Sequence, residues 1–315
     1  MKKSSIQLIG VLIAMWSTMV LAQPATQPTS QPGARRGGAA PAFSSPRDAL
    51  PFTNESLANL NPSLPTLIIT GDSTAARGNP ALRGWAAVLV DYFDTARINL
   101  VNRAIGGQRF NTYIEQYWPA VVDAIKKGDY VVIEFGHNNG PLAGIGEETE
   151  QSTGRGGQPV TMHTHGWYLR KFIADVRAKG GIPIVSTITP RDIWYKDKVE
   201  RVKSLAPRPT PEQLMSEEKP PAGGGMSDWS RQVAKQENVA LVDHTTIIAD
   251  GYDALGHDAV NKFFNDPGLL HTNTDGAIFN CEAFIAGLKA IPDLPLVNYL
   301  NDKGKAVPAY KPRAQ

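Results

Sequence analysis

Between Thr66 and Leu288 the chain alternates short apolar runs with longer amphipathic segments, and few folds accommodate that rhythm. Runs of four to eight apolar, often β-branched residues suit buried strands, and segments with apolar positions three and four apart suit helices packed on them. The pattern predicts strands over Thr66 to Thr70, Asn99 to Ala104, Tyr130 to Phe135, Ile182 to Ile188 and Val239 to Val242. It predicts helices over Leu82 to Phe93, Thr112 to Lys127, Gly166 to Lys179, Ser227 to Glu237 and Asp275 to Lys289. Strands joined by right-handed helical crossovers form a parallel sheet, so the expected fold class is α/β, a three-layer α/β/α sandwich around a five-stranded parallel sheet.

The amino terminus has a different character. Residues 1–22 carry Lys2 and Lys3, an apolar stretch from Ile6 to Leu21, and small side chains up to Ala22. This is the pattern of a cleavable signal peptide, with cleavage near Ala22 and a secreted or periplasmic product. Residues 23–48 are rich in Pro, Gln, Ala, Ser, Thr and Gly and have few large apolar side chains to bury, so they are expected to form a flexible leader ahead of a single domain over 49–315. The chain has 32 Lys and Arg against 30 Asp and Glu, and loss of Lys2 and Lys3 leaves 30 of each. That balance gives no electrostatic footprint for nucleic acid or for an anionic membrane, and no stable membrane association is expected after cleavage. Cys281 is the only cysteine, which excludes an internal disulfide, and its place in the helical apolar pattern with Ala277, Ile278, Phe284, Ile285 and Leu288 marks it as a buried small hydrophobe.

Chemistry is expected where strands end. Gly71-Asp72-Ser73 follows the first apolar run, where a strand–turn–helix connection lifts a hydroxyl above the carboxyl edge of a parallel sheet. Ala75 stands two residues after Ser73, so the Gly-x-Ser-x-Gly elbow is not matched. A serine nucleophile needs a base, and the base needs a carboxylate to orient it. His271 is the candidate base, because Asn265-Asp266-Pro267-Gly268-Leu269-Leu270-His271 is turn-rich and immediately precedes the last expected helix. Asp266 can share that turn, with Asp275 as the alternative acid. His137, after the third strand, reads as a hydrogen-bonded structural residue. Asn138 and the glycines Gly106 and Gly107 are candidates to donate to an oxyanion. His163 and His165 have no further ligand at familiar spacing, so no metal and no cofactor is expected. Trp85 and Trp167 read as packing residues, with Trp194 left open. The loops Pro141 to His165 and Arg191 to Gly225 each follow a strand's carboxyl end and are expected to overhang the site.

These blocks, in this order, resemble those of the SGNH (GDSL) hydrolases, and more specifically the rhamnogalacturonan acetylesterase branch. The likeness rests on Gly71-Asp72-Ser73-Thr74 with Gly84-Trp85, Val101-Asn102-Arg103-Ala104-Ile105-Gly106-Gly107, Gly128-Asp129-Tyr130-Val131-Val132-Ile133-Glu134-Phe135-Gly136-His137-Asn138, and His271-Thr272-Asn273-Thr274-Asp275-Gly276-Ala277. It covers about residues 66–290. The resemblance implies a flavodoxin-like sheet, a serine nucleophile at Ser73, a base at His271, and oxyanion donors at Ser73 N–H, Gly107 N–H and the Asn138 amide. It also implies deacetylation of an acetylated plant-type polysaccharide without cofactor or metal. Three positions depart from the family pattern. Asn139 replaces the last residue of the Gly-His-Asn-Asp block, Gln108 to Asn111 differ from the usual Arg/Ser-rich run, and Gly268 stands three residues before the histidine, where the family's acid is expected. Asp266, five residues before His271, is the nearest carboxylate. Two other readings fit the same blocks: an esterase for small lipids or aryl esters, and a carbohydrate-binding relative without catalysis.

Overall fold

In chain order the strands are β1 (Thr66–Gly71), β2 (Asn99–Asn102), β3 (Tyr130–Glu134), β4 (Thr149–Thr153), β5 (Pro159–His163), β6 (Ile182–Ser186), β7 (Trp194–Tyr195), β8 (Lys198–Val199) and β9 (Ala240–Val242). The helices are α1 (Phe110–Gln116), α2 (Trp118–Ala124), α3 (His165–Ala178), α4 (Met226–Gln236), α5 (His244–Leu255), α6 (His257–Val260), α7 (Thr274–Ala290) and α8 (Asp302–Ala306). The computed structural model describes residues 60–312 apart from 77, 139, 155–156, 202–224 and 266–268. The expected signal peptide (1–22) and leader (23–48) lie outside the described residues.

Five strands form one parallel sheet in the order β2-β1-β3-β6-β9, with Ile68 of β1 in register with Val101 on one side and Val131 on the other. Neighbouring residues of a strand point to opposite faces, and β1 feeds both. Leu67 and Ile69 join a cluster with Val132, Ile184, Val242, Tyr252 of α5 and Phe284 of α7. Ile68 joins another with Val101, Val131, Val185, Phe110 of α1, Phe172 of α3 and Val233 of α4. Both faces are covered by helices, giving the expected three layers, and this is why the strands read as unbroken apolar runs. The chain leaves β1 for β2 and then returns across it to β3, so the order reverses at β1. In open α/β sheets such a reversal leaves a crevice at the carboxyl ends of the two strands on either side.

The expected strands are present, β1 extended by one residue to Gly71 and the other four one or two residues shorter than their apolar runs, while some helices differ. Leu82 to Phe93 forms two 3₁₀ turns, Trp85–Ala87 and Leu89–Tyr92, in place of one helix. There the Gly84 and Trp85 N–H groups bond to the Ala76 and Thr74 carbonyls of the neighbouring turn, which draws the backbone off a helical path. Thr112 to Lys127 is broken at Tyr117, and Pro119, which has no N–H for a continuous ladder, sits in the first turn of α2. Helix α5 is absent from the sequence pattern because Thr245, Thr246, Ile247, Ile248 and Gly251 all weigh against it. Burial of Ile248 and Tyr252 and an Asp243 cap on the Thr246 N–H stabilise it instead. Cys281 is free and fully buried, and burial raises its thiol pKa.

One polar cluster joins the layers beneath the crevice. The carboxylate of Glu134, 1 % exposed at the end of β3, accepts from Trp85 Nε1 at 3.0 Å and Ser186 Oγ at 2.9 Å. Thr74 Oγ1 lies 3.4 Å from Oε1, and Nδ1 of the fully buried His244 lies 3.2 Å from Oε2. The other ring nitrogen, Nε2, faces the Asn280 carbonyl of α7 at 2.7 Å, and since a carbonyl only accepts, Nε2 carries hydrogen. A single carboxylate thereby binds β3, β6, α5 and the segments that follow β1, and through His244 it reaches α7. Glu134→Ala removes the common acceptor and strands several buried donors. We expect it to cost about 3 to 5 kcal/mol, as removal of one partner from a buried ionic cluster does. Urea unfolding checks this, and a loss under about 1 kcal/mol would show that the cluster is not a structural tie.

Candidate active site

Ser73 sits on the turn that leaves β1, and Asp72 shapes that turn. The buried Asp72 carboxylate accepts from Thr74 N–H at 3.1 Å and Thr74 Oγ1 at 3.0 Å through one oxygen, and from His137 N–H at 3.1 Å through the other. Its carbonyl accepts from Ala75 and Ala76 N–H at 3.3 and 3.1 Å. Asn102 Nδ2 at the end of β2 donates to the Ala75 carbonyl at 2.8 Å. The turn is held from both neighbouring strands, and Ser73 stands half-buried at its crest, over the sheet's point of reversal.

His271 comes from the far end of the sequence and meets Ser73 directly, with Nε2 2.8 Å from Ser73 Oγ. The segment around it is stitched down on both sides. Arg83 N–H donates to the Thr272 carbonyl at 2.6 Å, and Thr272 Oγ1 donates to the Arg83 carbonyl at 3.0 Å. Asn273 N–H donates to the Phe263 carbonyl at 2.7 Å, and the Asn273 side chain caps α7 by accepting from Gly276 N–H at 3.1 Å. The helix start is thus fixed against the Gly84-Trp85 segment, which itself bonds to the Ser73 turn.

Two further loops converge here. Gly106 and Gly107 follow β2, and a Cβ built on Gly106 would lie 3.8 Å from Ser73 Cβ, so this loop passes beside the serine. Gly107 has φ +75°, a left-handed conformation that side chains with a Cβ adopt at a cost. Asn138, after β3, donates through Nδ2 to the Gln108 carbonyl at 2.9 Å, which joins the β2 and β3 loops and fixes the orientation of the amide. An amide has a second N–H, and among the described residues it has no recorded partner. Ser73, Gly107 and Asn138 are therefore brought to one edge of the sheet with His271.

Asp266 and Asn139 lie outside the described residues. Asp275, the alternative acid, is exposed in the first turn of α7, where a carboxylate complements the helix dipole. His137 is buried, with Nε2 3.3 Å from Thr189 Oγ1, which ties the segments after β3 and β6, while its main-chain N–H ties it to Asp72 in the turn after β1. His163 stacks on Trp167 at 3.7 Å between ring centroids, whereas His165 is fully buried with Nε2 3.0 Å from Ser230 Oγ. Burial lowers the pKa of His165 to about 3. The two imidazoles thus have separate partners. Trp85 is fully buried against Phe284, and Trp194 donates from Nε1 to Asp192 Oδ1 at 2.6 Å. Sequence reasoning assigned no role to Glu134, although a carboxylate in the otherwise apolar run Tyr130 to Phe135 is itself a signal that something must satisfy it.

Several known proteins are similar to this chain. The chain is 30 % identical over 233 residues to the rhamnogalacturonan acetylesterase of Emericella nidulans, covering 70 % of this chain and 83 % of that protein. It is 29 % identical over 252 residues to the rhamnogalacturonan acetylesterase RhgT of Bacillus subtilis, covering 74 % and 93 %. In three dimensions it is similar to the crystal structure of the YXIM protein of Bacillus subtilis. The TM-score is 0.53 at 21 % identity over 72 % of this chain, and the match spans 56 % of that structure's length. The model of the GDSL-like lipase/acylhydrolase family matches residues 69–277, a span that takes in both the Ser73 turn and His271, and the chain belongs to that family of carboxylic ester hydrolases.

Proposed function

We propose that the chain is an exported serine esterase that removes acetyl groups from a plant-type polysaccharide, rhamnogalacturonan or a related pectin. The observation that carries the reading is the 2.8 Å approach of His271 Nε2 to Ser73 Oγ at the carboxyl edge of the sheet. The substrate class is supported by the names of the two relatives, both rhamnogalacturonan acetylesterases. Export is supported by Lys2, Lys3 and the apolar stretch ending at Ala22.

His271 takes the hydroxyl proton as Ser73 Oγ attacks the acetyl carbonyl. The negative charge that develops on the carbonyl oxygen is met by the Ser73 and Gly107 N–H groups and the Asn138 amide. The imidazolium then returns its proton to the departing sugar oxygen, leaving acetyl-Ser73. Water, deprotonated by His271, attacks the acyl-enzyme and releases acetate. Asp266, five residues before His271 in the sequence, is assigned to hold the His271 tautomer and stabilise its charge.

The assignment of the acid separates cleanly from its alternative. Asp266→Asn should lower kcat by roughly 10⁴ at neutral pH, the cost of losing a triad acid, with little change in melting temperature. Asp275→Asn should cost about 1 kcal/mol of stability or less and leave kcat near wild type. The reverse pattern would transfer the role to Asp275. For substrate class, acetate release from acetylated rhamnogalacturonan, acetylated xylan and a short-chain aryl acetate should be compared. The reading expects the highest kcat/KM on the pectic polymer. Turnover of the aryl ester alone would favour a small-ester hydrolase, and no turnover of any would favour a binding protein.

A further inference from the structure

Asp192 lies between β6 and β7, and its side chain has no exposed surface. Oδ1 accepts from Trp194 Nε1 at 2.6 Å, and Oδ2 accepts from Asn261 Nδ2 at 2.7 Å. The main-chain N–H of the same residue donates to the Leu269 carbonyl at 2.8 Å. Among the described residues no Lys or Arg pairs with Asp192, since Arg191 is engaged by Glu200 and Arg201 by Asp250 and Asp253, and His257 Nε2 stands 3.9 Å from Oδ1. A carboxylate is costly to bury among neutral donors, and this one takes no part in the Ser73 turn or the Glu134 cluster.

The bonds to Asn261 and Leu269 lie on either side of the stretch that leads to the base. Asn261 opens the 3₁₀ turn Asn261–Phe263, and Leu269 stands two residues before His271. Past His271 the chain runs back along the same turn. Phe264 and Thr272 form an antiparallel bridge, Asn273 N–H donates to the Phe263 carbonyl at 2.7 Å, and Asn273 Nδ2 donates to the Lys262 carbonyl at 2.8 Å. Asp192 therefore grips this segment at its start and again on the approach to His271. Leu269 has φ +55°, a left-handed backbone that a leucine keeps where its surroundings fix it. The grip is itself anchored. Glu200 N–H donates to the Ile193 carbonyl at 2.7 Å, and Val199 N–H donates to Asp253 Oδ1 of α5 at 2.9 Å, so the neighbours of Asp192 are tied to a core helix.

We infer that Asp192 is a positioning residue for the esterase reaction. Its carboxylate and main-chain N–H set where His271 Nε2 stands relative to Ser73 Oγ, acting through the chain that carries the base. The inference rests on the serine-esterase reading and adds to it a residue outside the blocks that carry the family resemblance. A general base works at about 2.6–3.2 Å from the proton's owner, and the observed 2.8 Å leaves little slack.

The test measures turnover of a short-chain aryl acetate, and the rate at which a fluorophosphonate labels Ser73, in wild type, Asp192→Ala, Asp192→Asn and Asn261→Ala. Each is assayed at a temperature where circular dichroism shows it folded. Asp192→Ala should lower kcat by about ten- to a hundredfold with KM unchanged, as a misplacement of roughly 1 Å does, and should slow labelling by a similar factor. Asp192→Asn should recover most of the rate, because its amide still accepts from Trp194 and Asn261 can turn its own amide to meet the other end. Asn261→Ala, at an exposed position, removes one arm of the grip and should lose a smaller factor in kcat, again at unchanged KM. A folded Asp192→Ala or Asn261→Ala with wild-type kcat, whatever its melting temperature, would overturn the inference, as would an Asp192→Asn as slow as Asp192→Ala. Asn261→Ala decides the matter even where Asp192→Ala does not fold. Wild type that neither turns over the aryl acetate nor labels at Ser73 would remove the serine-esterase reading itself.

Discussion

A carboxylate buried between the layers of a parallel sheet cannot remain unless its surroundings are built to satisfy it, and Glu134 imposes that condition on the segments around it. Trp85, Ser186 and His244 each approach it from a different element, and Thr74 adds a longer contact. The residues that complete this shell are also those that hold the site. Thr74 follows Ser73 directly, Trp85 belongs to the segment that bonds to the Ser73 turn, and His244 reaches through the Asn280 carbonyl to α7, the helix that His271 precedes. Packing energy is shared among many apolar side chains, and this polar centre joins the bonds from Asp72, Asn102, Arg83 and Asn273 in placing serine and histidine.

Above that centre, geometry divides the labour among loops. The β1 turn presents Ser73, the β2 loop brings a backbone with left-handed φ at Gly107, and the β3 loop brings Asn138, locked to the β2 loop by its bond to Gln108. Fixed donors are worth most where they need no reorganisation as charge develops.

Much of this was legible in the residues. Five apolar runs bounded by polar segments announced five parallel strands, because burial on both faces leaves no alternation to obscure them. Ser73, Gly107, Asn138 and His271 stood out because each follows a strand or precedes a helix, where side chains reach the crevice. The illegible parts were those decided by tertiary context. Helix α5 has an unfavourable local sequence and exists because Ile248 and Tyr252 are buried. The segment 82–93 has helical spacing, yet its backbone bonds to the serine turn turn it into two short 3₁₀ pieces. The β4–β5 hairpin read as a long loop, since its five exposed β4 residues give no hydrophobic signal. Glu134 was visible as an anomaly, but its partners lie 49 to 110 residues away and no local pattern names them.

The central claim is that Ser73, activated by His271, is the residue that becomes acylated. A fluorophosphonate reagent, which phosphonylates an activated serine hydroxyl and displaces fluoride, tests it without assuming any substrate. The account predicts one phosphonyl group per chain, located by peptide mass on the fragment containing Gly71-Asp72-Ser73, with labelling lost in His271→Ala while that variant keeps its fold by circular dichroism. Stoichiometric labelling at another serine, or undiminished labelling of Ser73 without His271, would contradict it.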